Sequence, residues 1–361
     1  MIWGNDTKWI FKLKEEVPGF LEELKGKEIP GFFHYSLSGD LYDETIRWGL
    51  GNTACAVKIY YTLDLLRTLP KKEREDMAKF IKSFQKEDGS ISDPLIRKRA
   101  CLRNILSSIK EVDFSNVFGQ RTIIGETRLA IPALMLLGER PKVPYQYFPN
   151  TKEEIAKYLK KLDWRKPWGA GSLFSHLIFF IKNSDLEDKE DLVEFAIEWV
   201  SRLESPKTGS WYKGNPSLQQ KVNGAMKVIT GLKVADRMEF KYPEKLIDLC
   251  LLAGRGDACD NFNVIYALHY ASKVAGDSYR FEDVRRFALE RLGIYKDYYF
   301  PEIGGFSFLP QKANMHYYGA KITKGLKEPD IHGTAMFLWG ISIIAQILGV
   351  DEALGFNELM P

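Results

Sequence analysis

What the chain lacks removes several classes of protein. It has four cysteines, Cys55, Cys101, Cys250 and Cys259, in 361 residues, and no two stand at a paired spacing. No disulfide framework is written there, so buried free thiols and a reducing, cytoplasmic setting are the expectation. An excess of either charge is also missing: 51 basic residues oppose 48 acidic ones for a net +3. The charges are interspersed, as in Lys71–Asp76 and Glu187–Asp191. A balanced surface of this kind carries no polyanion footprint, and no nucleic-acid partner is expected. Met1–Lys8 has no basic flank leading into a continuous apolar core, so no signal peptide is expected. The longest apolar stretch, Ala335–Val350, is broken by Gly340, Ser342 and Gln346. It is short for a membrane span and reads as a buried helix. No linker or low-complexity segment divides the chain, which points to one domain over 1–361.

What is present is a recurring beat. Gly and aromatic residues lead into a small or polar helix start and then a strongly apolar helix, beginning near Asn52, Gly125, Gly171, Asn223, Asp260 and His332. Between these lie amphipathic segments with one apolar stripe: 71–86, 95–110, 151–161, 188–203, 243–252 and 281–292. Met77, Phe80, Ile81 and Phe84 show the helical three-and-four spacing of such a stripe. The apolar segments, such as 129–137 and 173–181, are hydrophobic nearly all round, as helices covered on more than one side must be. With few convincing strands, this alternation predicts an all-α fold, an (α/α)6 barrel or toroid of inner and outer helices.

In such a ring the inner helices start at one mouth, where unpaired backbone N–H groups favour polar side chains and anions. The predicted starts bring together Asn52, Glu126, Arg128, Ser172, Asn223, Asp260, Asn261 and His332.

The segment Phe84-Gln85-Lys86-Glu87-Asp88-Gly89-Ser90-Ile91 resembles the Q-x-x-D-G-S-aromatic repeat of squalene cyclases and of protein prenyltransferase β subunits. Gly209-Ser210-Trp211 and Gly304-Gly305-Phe306-Ser307 look like degenerate copies. Such a motif ends an outer helix, turns on a glycine and lays a ring on the next helix, so it speaks for fold more than for chemistry. The resemblance implies an α/α toroid with a central cavity for an isoprenoid or similarly amphipathic substrate. It also implies a zinc site, with Asp257 and Cys259 as an Asp-x-Cys pair and His332 as the third ligand, leaving a fourth position for a thiol or water. In that family the G-G-F loop leads into the Asp-x-Cys helix, whereas here it leads toward His332, and Ile331 stands in place of the family's tyrosine. The same residues also read plainly as a helix cap, Asp257 or Asp260, and a packed thiol, Cys259. Protein prenylation would require a partner α subunit.

A second reading is a carbohydrate-active enzyme, a glycoside hydrolase or polysaccharide lyase. Glu126, Asp260 and Asp330 could supply the carboxyl pair of a glycosidase. Arg128, Lys221 and Lys227 would hold uronates, and Trp48, Trp164, Trp168, Trp211 and Tyr212 would offer sugar platforms. Buried ion pairs among these charges are the plain alternative. His332, two residues after Asp330 at a predicted helix start, is the first choice for acid or base work under either reading. Asn52, Arg128, Asn223, Lys227, Asn261 and Trp211 are the expected substrate-binding set, for a small molecule or an oligosaccharide. A third reading is a non-catalytic scaffold with its mouth blocked. No Asp-x-Asp-Asp proton donor is present.

Overall fold

A computed structural model describes residues 7–111, 119–276 and 278–359, with the side chains of 102–104 and 106–111 excepted. Among them are fourteen α-helices and four two-residue strands. The helices are α1 (Leu13–Leu24), α2 (Leu50–Thr62), α3 (Lys71–Ser83), α4 (Pro94–Glu111), α5 (Gln120–Leu136), α6 (Lys152–Lys161) and α7 (Pro167–Lys182). They continue with α8 (Lys189–Ser201), α9 (Leu218–Ala235), α10 (Pro243–Cys250), α11 (Ala258–Val274), α12 (Phe281–Lys296), α13 (Ile331–Leu348) and α14 (Asp351–Leu354). The all-α class and the alternation of helix types follow the sequence reading. Strands β1 (Tyr299–Phe300) and β2 (Gly305–Phe306) form one antiparallel pair, and β3 (His316–Tyr317) and β4 (Ala320–Lys321) another.

Two compact units divide the chain: residues 1–144, 292–342 and 351–359 in the first, and 145–291, 343–350 and 360–361 in the second. In the first, α2 packs on α5 and both pack on α3. In the second, α9 packs on α7 and α11, α10 covers α11, and α8 lies on α6 and α7.

Helix type follows from burial. Every residue of α11 from Asn261 to Ser272 is buried, whereas α3 buries only Met77, Ala78 and Ile81. The starts follow local chemistry: Thr151, Ser217 and Asp257 each accept a backbone N–H as N-caps, and Pro167 and Pro243 occupy first-turn positions where no N–H is needed. Helix α13 is long and apolar enough to cross a membrane, and 78% of its apolar window is buried inside the protein.

One turn recurs four times. Lys25 pairs with Phe33, Gln85 with Ile91, Glu204 with Trp211 and Tyr299 with Phe306, each across a glycine at positive φ: Gly31, Gly89, Gly209 and Gly304. The glycine serves conformation and proximity together. A methyl group would run into the backbone of α3 at Gly31, of α10 at Gly209 and of α1 at Gly304. At these three glycines the motif docks its turn onto a helix.

Candidate functional site

The residues expected at one mouth fall in both units: Asn52, Glu126, Arg128, Asp330 and His332 in the first, and Trp211, Asn223, Lys227, Asp257, Cys259, Asp260 and Asn261 in the second.

In the first unit the turns and inner helices are stitched by hydroxyls and carboxylates. Thr127 of α5 accepts the N–H of Ile91 at 3.0 Å and donates to its carbonyl, and Thr334 of α13 does the same with Phe306. Asn52 of α2 donates to the Phe33 carbonyl at 2.9 Å. Asn52 is therefore a link to the preceding turn. Gly49, at positive φ, starts α2 and donates its N–H to Asp93 at 2.8 Å. The other oxygen of Asp93 accepts from Leu95 and Ile96 at the start of α4. Burial pushes Asp93 up to about 6.

Asp330 is fully buried, and its oxygens accept from Phe308, Asn314 and Gly333 at 2.7, 3.1 and 2.8 Å. It ties two loops to the first turn of α13 and holds His332 in place; no oxygen is left facing a substrate. Burial also raises it to about 6. The His332 ring is half-buried, with its Nδ1 3.5 Å from the Tyr35 hydroxyl, at the outer limit of a hydrogen bond. Phe308 lies 5.0 Å from it in a tilted arrangement and Tyr317 meets it edge-on at 6.1 Å. Cys55, in the second turn of α2, is pushed up to about 11 by burial.

Glu126 lies in the second turn of α5, not at its start, because the helix begins at Gln120 after Gly119 in left-handed conformation. One carboxyl oxygen accepts the Asp93 N–H at 2.9 Å, and the other has no hydrogen-bond partner among the described residues. Burial, and then the neighbouring Asp93, hold the group well above the usual carboxylate range. It is a buried carboxyl in a helix wall whose neutral form is favoured. Arg128, one residue past Thr127, is buried as well.

Strands β3 and β4 are joined by Tyr318 and Gly319, both at positive φ, which is the type I′ hairpin turn. Tyr317 and Tyr318 lie against Gly51 of α2 and Gly125 of α5, where a side chain would collide with their hydroxyls. Reading the sequence missed this hairpin. Glycines inside two apolar helices were the available signal, since a helical glycine costs about 1 kcal/mol relative to alanine and often marks close approach.

In the second unit Asp260 accepts from Asn223 at 2.8 Å, and the Asn223 oxygen accepts from Gln219 and Asn263 at 2.9 and 3.0 Å. Asn261 donates to the carbonyls of Gly256 and Asp257 and accepts from Arg291. These side chains form a network that fastens α11 to α9 and to the loop before it. Lys227 is half-buried on α9. Trp211 is 2% exposed with its ring edge-on to Phe240, and Trp48 and Trp164 are equally buried. Those three tryptophans are core residues, which corrects their reading as sugar platforms. Trp168 lines an open groove of about 680 Å³, with Arg165, Lys166, Ser172 and Gln220, and Trp211 borders a cavity of about 300 Å³ with Phe174, Glu204 and Phe240.

The zinc set does not fit. Asp257 spends a carboxyl oxygen on the N–H of Asp260 at 3.0 Å as the cap of α11. Among the described residues no three His, Cys, Asp or Glu side chains are grouped to hold a metal ion.

No family model and no curated protein matches this chain.

Proposed function

We propose that the chain is an (α/α)6 toroid of the terpenoid cyclase and prenyltransferase kind, an enzyme that holds an isoprenoid or similarly amphipathic substrate against His332. Alternating wet and buried helices and the fourfold glycine turn support the fold. The observation that carries the chemistry is His332 beside the Tyr35 hydroxyl with aromatic walls from Phe308 and Tyr317. An imidazole and a phenol in contact can pass a proton, and rings and thiol around them suit a largely apolar reactant. Glu126, whose neutral form burial favours, offers a second acid on the neighbouring element. No step is routed through a metal.

The test is a thermal-shift and product screen with prenols, prenyl diphosphates and oligosaccharides. Prenyl compounds are expected to raise Tm by several degrees, and His332→Ala to lower turnover by about 10²-fold or more while leaving binding in place. Stabilisation by oligosaccharides alone would overturn the reading. That result would favour a carbohydrate-active enzyme working at the Trp168 groove, the one feature that supports the second reading.

A further inference from the structure

Among the buried polar atoms of the first unit that find no hydrogen-bond partner among the described residues are one carboxyl oxygen of Glu126 and the hydroxyl of Tyr317. They belong to one place. The Tyr317 hydroxyl lies against Gly51 and feels Tyr318, Glu126, Cys55 and Tyr35, while Tyr318 lies against Gly125, the residue before Glu126. Leaving a buried polar atom unpaired is costly, and the hairpin that carries Tyr317 also holds Tyr318 in left-handed backbone, which a side chain rarely adopts. Proteins keep such arrangements chiefly where something else completes them.

The chemistry of what completes this one follows from the two groups. Burial favours the neutral form of each, so each presents an O–H. Their surroundings include the buried thiol of Cys55 and the ring of Tyr35. A bound ammonium would meet no countercharge from two neutral hydroxyls. A bound phosphate would meet the Asp93 carboxylate beside Glu126, although Arg97 and Lys86 also act on Glu126 from the other direction. A neutral acceptor fits best.

We propose that Glu126 and Tyr317 form a receptor for one uncharged oxygen, a hydroxyl, ether or carbonyl, on an otherwise apolar ligand, and thereby set substrate specificity. This rests on the amphipathic-substrate reading above. Binding of farnesol, of the hydrocarbon farnesene and of farnesyl diphosphate to the full chain tests it by calorimetry. The wild type is expected to bind farnesol about tenfold or more tightly than farnesene. Tyr317→Phe and Glu126→Met are expected to abolish that preference while still binding farnesene. Tyr317→Phe removes only an unpaired hydroxyl, so its ligand-free Tm is expected to be no lower than wild type, which separates loss of recognition from loss of fold. Equal binding of farnesol and farnesene by the wild type, or a preference that survives both substitutions, overturns the receptor alone. Tighter binding of the diphosphate than of farnesol overturns its neutrality. If none of the three binds, the amphipathic-substrate reading falls and takes the receptor with it.

Discussion

Glu204 does in its turn what Gln85 does in another. The Gln85 side-chain oxygen accepts the backbone N–H groups of Lys142 and Val143, and the Glu204 carboxylate accepts those of Lys241 and Tyr242 at 3.1 and 2.8 Å. The Gln85 side chain reaches from the end of α3 to the segment after α5, and that of Glu204 from the end of α8 to the segment after α9. What repeats is an acceptor at this position, and a charge is not required of it. Burial in fact raises the Glu204 pKa, so its charge works against the site.

Glu204→Gln is therefore expected to preserve stability to within about 0.5 kcal/mol, whereas Glu204→Ala is expected to cost about 1–3 kcal/mol by leaving two N–H groups unpaired. Urea unfolding of the three proteins checks this. Equal losses for Gln and Ala would show that the carboxylate charge matters after all.

A pH dependence follows from Asp93. Its pKa is about 6 in the folded protein against 3.8 for the free side chain, so the folded state binds the proton more tightly. Stability contributed by this group is greatest below pH 4 and declines as pH rises toward 6, by about 3 kcal/mol at most, then levels off. The Asp93→Asn variant lacks that slope. The wild-type minus variant unfolding free energy is expected to fall between pH 4 and 6; a difference that stays flat or rises would show that the N–H donors from Gly49, Leu95 and Ile96 outweigh burial.

The helical class and the alternation of wet and buried helices were legible because periodicity reports burial directly. Helix α1 was not, and it carries Pro18 and Gly19 in its interior. The first copy of the turn, Lys25 to Phe33, shares only the glycine and aromatic with its relatives and passed unnoticed. At the candidate site His332 stands out in the sequence because histidine at a helix start is conspicuous. Asp330 and Asn52 were taken for substrate-facing groups because a sequence shows that a polar residue is near a helix start but not which backbone groups claim it. Tyr35 and Tyr317 reach the site from loops, where no period announces them.

Asp257 separates cap from metal ligand in one experiment. As the N-cap of α11 it needs only a short oxygen acceptor for the Asp260 N–H, a role that serine fills about as well as aspartate. As a zinc ligand it would need the carboxylate, and serine would not serve. Asp257→Ser is expected to keep the wild-type Tm and Asp257→Ala to lose about 1 kcal/mol, with chelator leaving all three unchanged. Serine and alanine failing alike, together with a chelator-sensitive wild type, would restore the carboxylate to a metal-binding role. A helix cap is insensitive to chelator, so the measurement distinguishes the two roles even if both substitutions happen to destabilise.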